Sequence, residues 1–198
     1  MKDYGAGSSL NKSNIRSISS ISKYAEKPAD LAQLLFRLVE FFKPTTIFEL
    51  GTSLGLTTTY LSKAYPEARL YSFEGCPETL KKAIENFHCI GCQNITTIEG
   101  NIDDTLKETL SKISSLDFVF FDANHRYKPT LEYFNQCLKK INNNSVFIFD
   151  DIHWSSEMEK AWEEIKAHPS VNVSIDLFHL GIIFFRKEQV KEHFILRL

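Results

Sequence analysis

The sequence lacks the apolar runs and the basic excess that would mark two common classes of protein. Its longest apolar runs span four to six residues, against the roughly 20 residues that a membrane-spanning helix needs. The 23 Lys and Arg residues are balanced by 25 Asp and Glu, and a net charge of -2 provides no electrostatic footprint for duplex nucleic acid. We therefore expect neither membrane insertion nor nucleic-acid binding.

Cysteine is also scarce. Cys89 and Cys92 have the spacing of a zinc knuckle, but Cys76 and Cys137 form no second close pair, so a zinc site would lack ligands. We interpret this stretch as a helix end capped by Gly91 with small thiols packed beneath it. The first residues lack the apolar stretch of a secretory signal, so we expect a cytoplasmic chain with reduced thiols.

Residues 1–27 differ in composition from the rest of the chain and are rich in serine and lysine. They are expected to form a flexible or partly helical lead-in. Ile15, Ile18 and Ile21 recur every three residues, as they would on one side of a helical turn. A lid over a site, a dimer contact and a packing strap are three interpretations of this segment, and the sequence leaves them open.

From residue 28 onward, short apolar runs alternate with amphipathic segments, which predicts one domain over residues 28–198. The last two apolar runs, 171–178 and 181–185, are close enough to form an antiparallel hairpin. Strands that alternate with helices predict a Rossmann-like α/β fold, with a doubly wound, mostly parallel, seven-stranded sheet between two helical layers. The five earlier strands are predicted at Thr46–Leu50, Leu70–Phe73, Ile95–Ile98, Phe118–Phe121 and Val146–Phe149.

Several helix ends are also predicted. A helix from about Leu54 to Ala64 should follow the first strand, and one over 78–87 should follow the second. The helix over 157–167 has Ser156 at its start and Glu159 three residues later, the spacing of a capping box.

Ligands bind at the carboxyl ends of the strands in such a sheet. Gly51 and Gly55 predict a tight turn after the first strand, where backbone approaches a ligand closely. Glu74 lies 23 residues beyond Gly51, about where a carboxylate accepts the hydroxyls of a ribose. A dinucleotide site would need a middle glycine where Ser53 stands, so an anionic pyrophosphate is disfavoured.

The segment Phe48–Gly55 resembles the first motif of class I S-adenosylmethionine-dependent methyltransferases. Over residues 30–186 the strand ends resemble the O-methyltransferases of the catechol type and of the macrocin-related sugar type. The resemblance implies S-adenosylmethionine as cofactor, with Glu49, Gly51 and Thr57 at its methionine part, Glu74 at its ribose and residues 101–103 beside its adenine. The full implied cofactor-binding set is Glu49, Gly51, Thr52, Ser53, Gly55, Thr57, Glu74, Asn101, Ile102, Asp103 and Asp122.

Acids also end the fourth and fifth strands. By the same resemblance, Asp122, Asp150 and Asp151 fall where these families hold a divalent metal, and an acid at the last position resembles the sugar type. A hard cation such as Mg²⁺ lowers the pKa of a bound hydroxyl, so the pattern implies metal-assisted O-methylation of a small molecule. In the alternative interpretation, Asp150 and Asp151 cap the next helix and Asp122 hydrogen-bonds a turn.

His125 lies three residues after Asp122, where the catechol type has a lysine base. Histidine is a common general base near neutral pH, and His125 is our candidate for that role, with Asp122 beside it in the catalytic pair. His153, next to the acid pair, is a weaker candidate for contact with substrate or metal.

Two other functions stay open at this point: a nicotinamide-dependent oxidoreductase, and a cofactor-binding scaffold without catalysis. The tail from Lys187 is expected to pack on the sheet or on a second subunit, so a homodimer is one of the expected arrangements.

Overall fold

The computed structural model describes residues 27–197, so the predicted lead-in lies almost wholly outside the described residues. Helices and strands alternate through this range as the sequence predicts. In chain order they are α1 Ala29–Phe42, β1 Thr46–Leu50, α2 Leu56–Ala64, β2 Arg69–Glu74, α3 Pro77–Ile90, β3 Ile95–Glu99, α4 Ile102–Ser111, β4 Phe118–Phe121, α5 Tyr127–Cys137 with a 3₁₀ turn Leu138–Lys140, β5 Val146–Asp150, α6 Ser156–Ala167, β6 Val173–Asp176, β7 Leu180–Phe184 and β8 Glu192–Ile195.

The chain divides into two compact units, one up to Thr105 and one from Leu106 onward. In the first unit, β1, β2 and β3 are parallel and lie in the order β3-β2-β1. Glu49 of β1 pairs with Ser72 of β2, and Glu74 pairs with Glu99 of β3. The carboxyl ends of these three strands therefore lie at one edge of the unit.

Helix boundaries in the first unit lie at residues with a left-handed backbone conformation. Helix α1 buries Leu35 and Val39 and stops at Lys43, whose φ of 48° is left-handed. Helix α2 begins two residues later than predicted because Gly55 also has a left-handed φ, 79°. Gly91 caps α3 as predicted, with its N–H donating to the His88 carbonyl.

Helix α3 is longer than predicted, because it begins at Pro77 and continues to Ile90. The extra turn carries Cys89 to an exposed position, and Cys92 is half-buried. The expectation that both thiols pack beneath the helix end is therefore wrong for Cys89.

In the second unit the strands lie in the order β4-β5-β7-β6-β8. β4 and β5 are parallel, β7 runs antiparallel to both β5 and β6, and β8 is parallel to β6. Every residue of β4 and β5 is buried, as their continuous apolar runs predict. The rings of Phe121 and Phe149 stack with centroids 4.3 Å apart. Full burial of a Phe ring such as that of Phe149 contributes about 1.5–3 kcal/mol through its removal from water.

Helix α6 begins one residue earlier than predicted, and a different serine caps its start. Ser155 is the N-cap, and its Oγ accepts a hydrogen bond from the Met158 N–H at 3.2 Å. Glu159 instead lies 3.4 Å from the His153 ring. The predicted capping box of Ser156 and Glu159 is therefore wrong.

The structure confirms the predicted fold class, a Rossmann-like, mostly parallel α/β architecture with antiparallel C-terminal strands and flanking helices. It adds β8 to the seven predicted strands and shortens β6 to Val173–Asp176. The predicted single domain over residues 28–198 stays a prediction. Among the described residues, we find no helix that combines the length and the apolar character of a membrane span.

Candidate active site

The turn after β1 depends on three residues with positive φ: Gly51 at 106°, Ser53 at 49° and Gly55 at 79°. The N–H groups of Gly51 and Thr52 both donate to the Phe73 carbonyl of β2, at 3.1 and 2.9 Å. The Gly55 N–H then donates to the Thr52 carbonyl at 2.9 Å and closes the turn. The glycine turn is thus attached to the carboxyl end of the neighbouring strand.

Gly55 has no space for a side chain. A Cβ placed on it would lie 2.4 Å from Cε1 of Phe87 and 3.1 Å from Cβ of Ala83, both on α3. The backbone at the start of α2 therefore packs directly against α3, which only glycine permits.

Glu74 holds the first two strand ends together. Its Oε2 accepts a hydrogen bond from the Ser53 N–H at 3.0 Å, and its Oε1 accepts one from the Cys76 N–H at 2.9 Å. An ionised carboxylate accepts hydrogen bonds at about four positions, and ribose hydroxyls are donors of the kind it accepts. The structure thus places the predicted ribose acceptor against the predicted glycine turn.

Glu49 lies deeper than the other predicted cofactor residues and is fully buried. Its Oε2 accepts hydrogen bonds from Thr58 Oγ1 and Ser72 Oγ, both at 2.5 Å. Because Ser72 gives its proton to Glu49, the 2.6 Å contact between Thr52 and Ser72 has Thr52 as the donor. The carboxylate therefore braces the turn from beneath, and its predicted contact with the methionine part stays a prediction.

Sequence reasoning missed Thr58 and Ser72 as partners of Glu49. The signal in the sequence was that both are polar residues at positions where a buried helix face or strand usually has an apolar side chain. Thr57, the neighbouring residue predicted to contact cofactor, is also buried.

The residues after β3 begin α4. Asn101 Oδ1 accepts a hydrogen bond from the Asp103 N–H at 3.1 Å, and the Asn101 carbonyl accepts one from the Thr105 N–H at 3.0 Å. Ile102 is buried, whereas Asn101 and Asp103 are exposed. Asn101 therefore caps the helix, and the predicted place of these three residues beside an adenine stays a prediction.

In the second unit, Asp122, His125 and Asp150 come together. One potential ligand atom from each lies within 4.8 Å of the others, and they form the one such group of three or more metal-ligating side chains among residues 27–197. Asp122 follows β4 and Asp150 ends β5, so parallel neighbours bring the two carboxylates together. Nε2 of His125 lies 3.5 Å from Oδ1 of Asp122. Asp150 is the most buried member, at 2% exposure.

A tight turn aims His125 at the carboxylates. Asn124 and His125 have φ values of 64° and 37°, and the His125 N–H donates to the Ala123 carbonyl at 2.8 Å. The Asn124 side chain donates to the Tyr133 hydroxyl at 2.6 Å and attaches the turn to α5. Left-handed φ costs non-glycine residues about 1–2 kcal/mol each, and the surrounding contacts hold this turn against that cost.

Asp151 is not a member of the group of ligand atoms formed by Asp122, His125 and Asp150. Its φ is 53°, its N–H donates to the His179 carbonyl at 2.8 Å, and its carbonyl accepts from the Trp154 N–H at 2.9 Å. The predicted set of Asp122, Asp150 and Asp151 is thus brought together only in part, with His125 in the third place. The alternative in which Asp150 and Asp151 cap α6 is wrong, because Ser155 is the cap.

His153 binds other acids. Its Nε2 lies 2.9 Å from Oδ2 of Asp176, and its ring stacks on Phe178 with centroids 5.4 Å apart. Oδ1 of Asp176 accepts a hydrogen bond from the Phe178 N–H at 2.8 Å. Burial raises the pKa of Asp176, but the hydrogen bonds from His153 and Phe178 outweigh burial and hold the pKa below its ordinary value. These contacts join the loop after β5 to the turn between β6 and β7.

Comparisons with known proteins identify the family and the fold of the chain. A family model described as a methyltransferase domain matches residues 48–152, more than half of the chain. An uncharacterized protein of Acanthamoeba polyphaga mimivirus is 30% identical over 98 residues, which are 47% of this chain and 44% of that protein. The chain therefore matches less than half the length of this relative.

Solved structures share the fold at low sequence identity. The O-methyltransferase of Bacillus cereus in complex with SAH is 20% identical, with a TM-score of 0.70 over 80% of this chain and 82% of that one. TomG, an O-methyltransferase of Streptomyces achromogenes in complex with SAM, is 20% identical, with a TM-score of 0.69 over 81% and 82%. A methyltransferase of Podospora anserina bound to SAH is 16% identical, with a TM-score of 0.73 over 87% and 83%.

Proposed function

Because the chain belongs to the methyltransferase domain family, we propose that it transfers the methyl group of S-adenosylmethionine to a hydroxyl of a small molecule, with a divalent cation assisting. The bond between sulfur and the methyl carbon breaks as the bond between that carbon and the acceptor oxygen forms. The hydroxyl proton passes to a base, and the products are S-adenosylhomocysteine and a methyl ether. Alignment of donor and acceptor supplies much of the rate in such an in-line transfer.

The first unit supports the donor. Structures of the same fold hold SAH or SAM. In this chain the Glu74 carboxylate lies against the backbone of the glycine turn, where it can accept ribose hydroxyls. A sulfonium cofactor carries no phosphate, so the acids at these strand ends attract it. A dinucleotide would instead meet Ser53 where its pyrophosphate needs glycine.

The second unit supports the acceptor class, and the observation that carries it is the group of Asp122, His125 and Asp150. Ligands about 2.1 Å from a small divalent ion lie about 3–4 Å apart, so a group within 4.8 Å fits with small side-chain adjustments. A bound divalent cation would supply a lowered pKa for the acceptor hydroxyl. Asp151 is also a predicted ligand, but it could bind the same ion only if its side chain moved toward this group.

His125 is placed for either of two roles. As the predicted base it would take the acceptor proton on its ring, and Asp122, 3.5 Å away, would stabilise the resulting imidazolium. As a ligand it would use its ring nitrogen to hold a cation together with the two carboxylates. One nitrogen cannot hold a proton and a cation together.

Two measurements on the purified protein test the proposal. Titration calorimetry should show binding of S-adenosylmethionine and none of NAD, and transfer of radiolabelled methyl to a panel of small hydroxyl compounds should separate an enzyme from a non-catalytic scaffold. Replacing Asp150 with Asn should lower turnover by at least about 100-fold while donor affinity stays within a few fold. Asp151→Asn is the matched control. Equal activity in Asp150→Asn and wild-type protein would remove the ligand group from the reaction.

The remaining expectations concern the surroundings of the enzyme. A cytoplasmic location, a homodimer and the absence of nucleic-acid partners stay predictions.

A further inference from the structure

We infer that His125 is a metal ligand rather than the general base, and that the Asp122–His125–Asp150 group selects a first-row transition-metal ion such as Mn²⁺, Fe²⁺, Co²⁺ or Zn²⁺ over Mg²⁺. The inference rests on the proposed function. It specifies the class of metal ion that binds and assigns His125 the role of a ligand. It begins from the identity of the three donor atoms that the strand ends bring together: two carboxylate oxygens and one imidazole nitrogen.

The composition of the group differs from the all-oxygen set expected from the sequence. Asp151 would have supplied a third carboxylate, but its backbone is held by His179 and Trp154 and its side chain is not one of the grouped donors. His125 takes the third position, with a ring nitrogen 3.5 Å from Asp122. The sequence spacing hid this exchange, because the backbone turns decide which side chain faces the carboxylates.

The imidazole is held in this direction by its own loop. Two successive non-glycine residues adopt left-handed φ, and the Asn124 amide is fixed to Tyr133, a residue that is 1% exposed. Strain of this kind persists where the surroundings determine the conformation, and it often accompanies function. Here it fixes a nitrogen atom beside two carboxylates, which is the requirement of a coordination site.

The donor set determines the class of ion. Mg²⁺ prefers oxygen ligands and keeps several waters, whereas imidazole suits transition metals. Two carboxylates and one imidazole would leave other coordination positions of a bound ion for a substrate oxygen. A nitrogen that binds the ion has no lone pair left for the acceptor proton, so the proton of an ion-bound hydroxyl would pass to water.

Pulsed electron paramagnetic resonance with Mn²⁺ as the probe tests the ligand directly. The full-length protein loaded with Mn²⁺ should show the coupling of a directly bound ¹⁴N nucleus. His125→Gln should lose that coupling, and Asp151→Asn should keep it. Asp150→Asn should lose most bound Mn²⁺, which separates this site from scattered surface acids.

Selectivity provides a second readout. Calorimetric competition should show tighter binding of Mn²⁺ than of Mg²⁺. His125→Asp should lower the ratio of the two affinities by at least about tenfold, because mutation of a group that only hydrogen-bonds a ligand already lowers metal affinity by about 10–100-fold. Mn²⁺ that binds through Asp150 without ¹⁴N coupling would overturn the inference and return His125 to the role of base. Absence of Mn²⁺ binding would overturn it as well. Titration of the same samples with S-adenosylmethionine reports separately on the proposed function, because the variants at His125, Asp150 and Asp151 leave every predicted donor-binding residue unchanged.

Discussion

The strand ends of the two units use their acids in different ways. In the first unit, the protein's own groups bind the carboxylates: Glu74 accepts two backbone N–H groups, and Glu49 accepts two hydroxyls. In the second unit, Asp122 and Asp150 approach each other and a histidine. Acids that look alike in sequence therefore do different work, because the first pair shapes a turn and the second pair gathers donor atoms at one place.

The backbones differ in a matching way. The turn after β1 reaches positive φ mainly through glycine, at Gly51 and Gly55. The loops after β4 and β5 reach it with Asn124, His125 and Asp151, which carry side chains at greater conformational cost. Of these three residues only His125 belongs to the ligand group, so it is the one left-handed residue here whose side chain supplies a donor atom.

The largest expected effect is on stability and comes from the glycine turn after β1. Gly55→Ala should lower the free energy of unfolding by about 2–5 kcal/mol, because the new Cβ would overlap Phe87 and the backbone is left-handed. Gly91→Ala is the matched control: it shares a positive φ, but its Cβ would meet only the end of Lys63 at 3.9 Å. Its loss should be about 1 kcal/mol. Denaturant unfolding measures both, and equal losses would show that close packing at Gly55 is unimportant.

The next effect concerns Glu74. Glu74→Ala should weaken binding of S-adenosylmethionine by about 1–3 kcal/mol, because it removes an acceptor for the ribose and leaves the Ser53 and Cys76 N–H groups without this partner. Glu99→Ala, at the exposed position paired with Glu74 on β3, should leave affinity almost unchanged. Calorimetry compares the two variants. If both bind like the wild type, Glu74 serves only the turn.

The smallest effect concerns Asp176 in the second unit, whose carboxylate accepts hydrogen bonds from the protein as those of Glu49 and Glu74 do. A folded-state pKa below the ordinary 3.8 means that Asp176 adds stability above about pH 4 and that this stability is lost as the pH falls through the folded value. The difference in unfolding free energy between wild type and Asp176→Asn should therefore shrink from pH 5 to pH 2. Chemical denaturation over that range measures it, and a constant difference would contradict the lowered pKa.

Much of the fold could be predicted from local pattern. The uninterrupted apolar runs of β4 and β5 identify buried parallel strands, and the predicted class I methyltransferase family is confirmed by the family match. β8 was missed because its sequence, from Glu192 to Ile195, has no buried face. It is a strand because β6 offers it hydrogen bonds, which is a tertiary effect that spacing does not record.

The sequence predicted which residues lie at the strand ends better than it predicted which of their side chains come together. Gly51 and Glu74 were both predicted at strand ends, and the structure places Glu74 against the turn after β1, because parallel neighbours align their carboxyl ends. The exchange of Asp151 for His125 was not predictable, since it depends on the φ of single loop residues. Residue type reveals such values reliably only where it is glycine or proline.

The exposure of β8 has a consequence for how the protein comes apart. Within the described part of the chain, this strand pairs with β6 alone, and none of its four residues is buried. Its two apolar residues are already partly in water, Phe194 at 43% and Ile195 at 69% exposure, so its detachment exposes less apolar area than the opening of β4 or β5 would, and β8 can fray while β4 and β5 stay closed. Its amide hydrogens should exchange with deuterium long before those of β4 and β5, and a protease should cleave β8 before it cleaves either of those strands.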